Sequence, residues 1–271
     1  MNKKNYVTAT WIWDLDSLEE NYEDVISFVN EQGVNLIYLH VSLRSFDKVN
    51  FQSFIKRASE EDIEVYALGG DPNWALTKNQ KSLNEFVSIV KGYNRQVTEE
   101  EMFQGIHVDI EPYLLPDWEN NNDEIINQWI NNIKHLTKQA KFGTELNISG
   151  DFPFWIDEVK IPGESQSVGE WMISKLDSIT IMAYRDYTDG KNGIRWISSP
   201  LVEQAANHNK SVVVGVNVIK TSEGSHTTFY DTPPRVMEQE LRLLKEHFSG
   251  HPGFGGIAVH DYSYWKSKLL K

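Results

Sequence analysis

Three polar residues alternate with apolar ones in a short segment near the middle of the chain. His107, Asp109 and Glu111 are separated by Val108 and Ile110 in the run GIHVDIE. Side chains of a β-strand point alternately to opposite faces, so the three polar groups are predicted to share one face. Two neighbouring buried acids raise the pKa of at least one of them, which is how a protein makes a general acid. The segment therefore predicts that Asp109 and Glu111 form an acid–base pair.

Two other interpretations of this trio remain open. One is a structural polar cluster that closes the top of a barrel, because perturbed acids do not always mark function. The other is a metal site, since His and carboxylates bind zinc or manganese, with His226 and His260 as distant further ligands. No second His lies nearby at ligand spacing, and no Gly-rich phosphate loop connects a strand to a helix, so we predict neither a metal nor another cofactor.

The acid segment is the fourth of eight predicted strands that alternate with amphipathic helical stretches. This order is typical of an α/β protein with a parallel sheet, whose strands are buried on both faces. The length of 271 residues suits one such barrel. We therefore predict a single (β/α)8 TIM barrel over residues 1–271, with strands at 6–13, 35–42, 64–70, 105–111, 145–150, 178–184, 211–217 and 255–261.

The longest predicted connections follow strands four, five and seven, at the end of a barrel where enzymes of this architecture bind substrate. Several aromatic residues fall just after predicted strands, and about half of such rings are expected in the core, whereas the rest could stack on sugar faces. These aromatic residues are Trp74, Tyr113, Trp118, Trp155 and Trp265.

Composition excludes several functional classes. The absence of cysteine rules out disulfides and thiolate chemistry. A net charge of −13 disfavours nucleic acid and anionic membranes as partners. The start of the sequence has no apolar stretch of the kind that export signals carry, so a cytoplasmic protein is expected, with secretion after removal of a signal as the alternative. The sequence gives no indication of oligomeric state.

The segment around the acids resembles the D-x-x-D-x-D-x-E signature on the fourth strand of family 18 glycoside hydrolases, the chitinase-like enzymes. Asp109 and Glu111 match its last two acids. The resemblance implies that Glu111 protonates the glycosidic oxygen. It also implies that Asp109 orients the substrate's N-acetyl group, whose carbonyl oxygen attacks the anomeric carbon in place of an enzyme nucleophile. The expected partner is then a carbohydrate substrate containing N-acetylhexosamine.

Other segments resemble the same family in the same order along the chain. The run ALGG, followed by Asp71 and Trp74, is similar to its third strand, and the run MAY, which ends at Tyr184, is similar to its sixth. The resemblance implies that Tyr184 helps to hold the N-acetyl group. The further residues expected to bind substrate are His107, Asp71, Trp74, Tyr113, Arg185, Asp186, Asn217 and His260.

The chain departs from the family's motifs at several positions. Gln104 and His107 replace its first two acids, Arg185 replaces the acid after the Tyr of strand six, and His260 replaces the Trp beneath the sugar. Arg binds carboxylates in a bidentate manner, which suggests a carboxylate-bearing substrate such as a peptidoglycan sugar. Two alternatives to a glycosidase remain open, a carbohydrate-binding barrel without turnover and a barrel enzyme that acts on a non-sugar substrate.

Overall fold

Strands and α-helices alternate along the computed structural model, which describes residues 6–42, 45–47 and 49–270. The predicted domain of residues 1–271 also includes residues 1–5, 43, 44, 48 and 271, which lie outside the described residues. The strands are β1 (Val7–Ile12), β2 (Leu36–His40), β3 (Glu64–Gly69), β4 (Gly105–Val108), β5 (Asn147–Pro153), β6 (Ser178–Met182), β7 (Val212–Asn217) and β8 (Phe254–His260).

The helices follow the strands one by one, which gives eight βα units in the described part of the chain. Their bounds are α1 (Asp16–Glu31), α2 (Phe51–Ser59), α3 (Gln80–Asn94), α4 (Trp118–Lys141), α5 (Val168–Lys175), α6 (Ile194–Asn207), α7 (Pro234–His247) and α8 (Tyr262–Leu269). The apolar face of α4 is buried, and α7 begins at a proline, where the missing N–H costs no helical hydrogen bond.

All strands pair in parallel in sequence order, and β1 pairs with β8 to close the barrel. The predicted (β/α)8 TIM barrel is therefore confirmed. Closure leaves no free sheet edge, and it brings the carboxyl ends of all eight strands to one mouth. Within the described residues, no helix combines the length and the apolar character that crossing a bilayer requires.

Alternate side chains of each strand divide the core into two layers. Apolar side chains such as Ile37, Ile106 and Val108 point outward and pack beneath the helices. Rings such as Trp11 and Tyr38 point inward and fill the barrel with smaller apolar neighbours. This alternation confirms the prediction that His107 faces inward while its apolar neighbours face the helices.

The fifth strand differs from its prediction at both ends. We predicted residues 145–150, whereas β5 runs from Asn147 to Pro153. Asp151 and Pro153 oppose strand formation, one by its charge and the other by its missing N–H. In the barrel a buried ring nitrogen hydrogen-bonds Asp151, and the proline is the last residue of the strand. The strand therefore delivers one more inward side chain than the sequence predicted.

Candidate active site

A cavity of about 430 Å³ opens at the carboxyl ends of the strands. Its walls combine acids, aromatic rings and two cationic side chains, contributed mainly by β1, β5 and β8 and by the loops after β4 to β7. The lining residues include Trp11, Asp109, Glu111, Tyr113, Asp151, Phe154, Trp155, Tyr184, Arg185, Asn217, Lys220, Glu223 and His260.

Asp109 follows β4 directly, and the end of β3 fixes its backbone. Its N–H donates to the carbonyl oxygen of Gly69 at 3.0 Å. A Cβ on Gly70 would lie 2.2 Å from the Asp109 carbonyl oxygen, so only glycine permits this approach. The glycine pair noted in the sequence thus sets the position of the acid.

Burial raises the pKa of Asp109 well above its ordinary value, and the negative charges of Asp151 and Glu111 raise it further. Its Oδ1 atom is buried without a hydrogen-bond partner. This carboxyl group is costly to ionise, because most of its surface is removed from water and no donor reaches Oδ1.

Glu111 lies two residues beyond Asp109 and lines the same cavity. Burial raises its pKa, a hydrogen bond from the Tyr113 hydroxyl lowers it, and the charges of Asp151 and Glu223 raise it again. The net direction is upward, as a general acid requires. The Tyr113 ring meets the Trp155 ring edge to face at 5.0 Å, so an aromatic wall stands beside the acid.

Asp151 also lines the cavity, although the sequence did not predict it as a site residue. It is buried in the barrel interior, and its Oδ2 accepts a hydrogen bond of 2.9 Å from the Trp11 indole nitrogen. The signal was present, because Ser149 and Asp151 alternate with apolar residues as His107 and Asp109 do. Extending strand five by one residue would have revealed it.

His107 is fully buried below the cavity, outside its lining. Its Nδ1 lies 2.7 Å from the Ser149 hydroxyl, and its Nε2 lies 2.9 Å from Asp151 Oδ2, although not aligned as a hydrogen bond. Its ring stacks on Tyr38 at 3.6 Å between centroids. Both ring nitrogens of His107 therefore face protein groups. Among the described residues, no group of three or more His, Cys, Asp or Glu is arranged to hold a metal ion.

His260 lines the cavity where the family resemblance places a tryptophan. Its Nε2 lies 3.2 Å from the Trp13 indole nitrogen, which is only a donor, so the ring proton lies on Nδ1. Burial lowers the pKa of His260, and the neutral ring stacks on Tyr184 with centroids 6.1 Å apart. The buried Nδ1 has no hydrogen-bond partner.

Tyr184, Arg185 and Asn217 also line the cavity, as the sequence analysis placed them in the site. One Arg185 nitrogen donates to the Tyr184 carbonyl at 2.6 Å, and its guanidinium lies over the Phe154 ring at 5.0 Å. Among the ion pairs of the described residues, none joins Arg185 to Asp186 or Glu111. The cationic side chain is therefore held beside the cavity without an acidic partner there.

Besides His107, three residues predicted to bind substrate lie outside the lining of this cavity. Asp71 caps the turn that follows β3 by accepting from the Asn73 N–H at 2.8 Å. Trp74 packs against Phe86 with ring centroids 5.4 Å apart. The backbone N–H of Asp186 donates to the His226 carbonyl. In this structure these residues organise loops around the mouth of the barrel.

The predicted aromatic residues divide as expected between core and cavity. Tyr113 and Trp155 line the cavity, whereas Trp265 is buried in the core and Trp118 packs partly buried against it. The cavity therefore keeps rings on one wall, next to Glu111.

Comparison with solved structures gives matches over nearly the whole chain. A chitinase from Chromobacterium violaceum ATCC 12472 has a TM-score of 0.61 and 12% identity, covering 98% of this chain and 100% of its own. A family GH18 chitinase from Cycas revoluta, in complex with allosamidin, has a TM-score of 0.62 and 13% identity, covering 97% of both chains. The Bacillus megaterium QM B1551 spore cortex-lytic enzyme SleL has a TM-score of 0.58 and 12% identity, covering 99% of this chain and 74% of its own.

No protein-family model matches the sequence, and the search of curated proteins finds no significant match. At 12–13% identity the structural matches concern the fold. The molecule is thus a (β/α)8 barrel whose fold is similar to that of the GH18 chitinases, and at the level of the fold the resemblance to family 18 glycoside hydrolases is confirmed.

Proposed function

We propose that this protein is a glycoside hydrolase that cleaves a glycan containing N-acetylhexosamine, either a chitin-like oligosaccharide or peptidoglycan. The observation that carries the proposal is the pair Asp109 and Glu111, set together in one cavity with the pKa of both acids raised chiefly by burial. An acid catalyst must hold a proton near working pH, and burial of this kind retains it.

In the proposed reaction, Glu111 donates its proton to the glycosidic oxygen as the bond from that oxygen to the anomeric carbon breaks. The carbonyl oxygen of the substrate's acetamido group bonds to the anomeric carbon from the opposite face, while Asp109 holds the acetamido N–H. Tyr184, which lines the same cavity, helps to hold the acetamido group. The bond from the acetamido oxygen to the anomeric carbon closes a second ring on the sugar. Ionised Glu111 then takes a proton from a water molecule that attacks the anomeric carbon and breaks this bond. Two displacements at the same carbon leave the sugar with its original anomeric configuration.

The substrate class finds support in the neighbours and in the cavity. The Cycas revoluta chitinase was solved with (GlcNAc)3 as well as with allosamidin, and the Bacillus megaterium neighbour is a spore cortex-lytic enzyme. Arg185 and Lys220 add two cations to the cavity of a protein with net charge −13. Guanidinium groups bind carboxylates well, which favours a carboxylate-bearing peptidoglycan fragment over plain chitin.

Hydrolysis of N-acetylglucosamine oligomers and peptidoglycan fragments by the wild type and by Glu111→Gln tests the proposal. Loss of the proton donor should lower turnover by about 10²–10⁴-fold. Glu119→Gln, which changes an exposed acid at the start of α4, is the matched control and should keep wild-type turnover. The relative rates on plain and carboxylate-bearing fragments decide between the two substrates.

Equal turnover in Glu111→Gln and wild type would refute the proposed role of Glu111. If the wild type binds these sugars and cleaves none of them, the protein is instead a carbohydrate-binding barrel. Isothermal titration with the same oligomers measures that binding, and Glu111→Gln should retain it, because the amide preserves the shape of the side chain.

A further inference from the structure

A third carboxylate, Asp151, lies in the barrel interior, and the proposed reaction gives it no part. Only 3% of its surface is exposed. A buried carboxylate is costly unless hydrogen bonds or opposite charges stabilise its ionised form. The surroundings of Asp151 therefore indicate what it does.

One oxygen of Asp151 is stabilised and the other is not. Oδ2 accepts the Trp11 indole N–H at 2.9 Å and lies 2.9 Å from His107 Nε2. Oδ1 is buried and has no hydrogen-bond partner. The indole nitrogen can only donate, so Asp151 is held in a form whose Oδ2 accepts.

The strand register places Asp109 beside Asp151. His107 pairs with Ser149 and Val108 pairs with Gly150 across β4 and β5. The next residues along this parallel register are Asp109 and Asp151, one strand spacing of about 4.8 Å apart. The Oδ1 of Asp109 is also buried without a partner, so each acid has one unsatisfied oxygen.

Two ionised carboxylates cannot satisfy each other, because both only accept hydrogen bonds. One added proton turns one of them into a donor, and the repulsion becomes a hydrogen bond. We propose that Asp151 is a positioning residue that holds Asp109 in its protonated form, with one proton shared between their Oδ1 atoms and the negative charge kept on Asp151.

The hydrogen-bond donors decide which of the two acids keeps the negative charge. Trp11 donates to Asp151, whereas no side chain donates to Asp109 Oδ1 among the described residues. The charge of Asp151 is also the second cause, after burial, of the raised pKa of Asp109. The other titratable groups that contact the pair or act on it electrostatically are Tyr38, His107, Glu111, Tyr113, Tyr184 and His260.

This inference rests on the proposed function for its catalytic consequence. A protonated Asp109 that donates through Oδ1 keeps its other oxygen as an acceptor for the acetamido N–H of the substrate. When positive charge develops on that group, the shared proton can pass from Asp109 Oδ1 to Asp151 Oδ1, which leaves the negative charge next to the substrate. β5 thereby completes a site whose acids were predicted on the fourth strand alone, over residues 105–111, whereas β4 ends at Val108 and both acids follow it.

Infrared spectroscopy of protein labelled with carboxyl-13C aspartate tests the shared proton without any substrate. The label separates aspartic acids from Glu111, and protonated and ionised carboxyl groups absorb at different frequencies. In the wild type, one aspartic acid band should persist far above pH 3.8, the ordinary value for Asp. Asp109→Asn should abolish that band.

Asp151→Asn should lower the midpoint of the band by about 1–3 pH units, because it removes the neighbouring charge. Ser149→Ala is the matched control, since it removes the other partner of His107 and leaves both acids in place. Its band should titrate as in the wild type. Circular dichroism checks that each variant is folded.

Trp11→Phe keeps the experiment decisive if Asp151→Asn does not fold. It removes the indole donor, so the proton should remain on the pair to higher pH and the midpoint should rise. An unchanged midpoint in folded Asp151→Asn or in Trp11→Phe would overturn the inference, and so would a band that persists in Asp109→Asn.

The two proposals fail separately. A wild type that cleaves no glycan, but whose aspartic acid band responds as described, would refute the proposed function and leave the shared proton intact. If the wild type cleaves glycans through Glu111, but its aspartic acid band does not change in the variants, the proposed function stands and the shared proton is refuted.

Discussion

The two ends of the barrel differ in how their polar side chains are paired. At the amino ends of the strands, Gln104 accepts the Val65 N–H at 2.7 Å and donates to the Met102 carbonyl at 2.6 Å. Asp177 likewise accepts the Ile148 N–H at 2.8 Å and pairs with Lys141. Each of these side chains ties one strand or loop to its neighbour.

At the carboxyl ends, several polar side chains have one atom without a partner, among them Asp109, Asp151 and His260. Asp109 Oδ1, Asp151 Oδ1 and His260 Nδ1 are all buried without a hydrogen-bond partner. Buried polar groups are nearly always paired in folded proteins, so such exceptions need an explanation. Paired polar groups at the amino ends therefore stabilise the barrel, whereas the unpaired groups at the carboxyl ends are available to a ligand or a proton.

Asp109→Asn should have the largest effect at the carboxyl end, on both turnover and stability. Loss of the group that orients the acetamido N–H should lower turnover by about 10²-fold or more. The same variant should raise the free energy of unfolding at neutral pH. Because the folded-state pKa of Asp109 is raised, the wild type loses stability as pH rises above about 3.8, and the amide removes that loss.

Glycan hydrolysis and thermal unfolding at several pH values measure both effects of Asp109→Asn. Below pH 3.8 the acid is protonated in the folded and the unfolded states, so the stability gain should vanish there. A gain that is independent of pH would show that ionisation of Asp109 is not its cause.

Gln104→Ala should have the opposite profile at the amino end. It leaves the Val65 N–H and the Met102 carbonyl without their side-chain partner, which should lower the free energy of unfolding by about 1–3 kcal/mol. Urea unfolding measures that loss. Turnover of the folded variant at low temperature should match the wild type, and a fall as large as that of Asp109→Asn would contradict the division between the two ends.

Tyr113→Phe should have the smallest effect of these variants, a change in the pH dependence of kcat/KM. The Tyr113 hydroxyl lowers the pKa of Glu111, so its removal should raise that pKa. The basic limb of the kcat/KM profile against pH should then move to higher pH, because Glu111 keeps its proton longer. An unmoved limb would show that another group controls it.

The sequence alone predicted the barrel and the position of its acids. Near-continuous apolar strands alternating with amphipathic helices can bury both faces of a sheet only as a parallel barrel or an open doubly wound sheet, and eight units of this length favour the barrel. The alternation around Asp109 is a local property of one strand, so it could be read without any other part of the chain.

Only the tertiary structure decided which groups meet at the cavity. Asp151 and Trp11 are 140 positions apart, and their hydrogen bond exists only because the barrel closes. Trp74 follows a strand as Trp155 does, yet one ring packs on a core phenylalanine while the other lines the cavity. Strand periodicity fixes the face of a side chain, whereas its neighbours depend on register and closure, which involve pairings between distant segments.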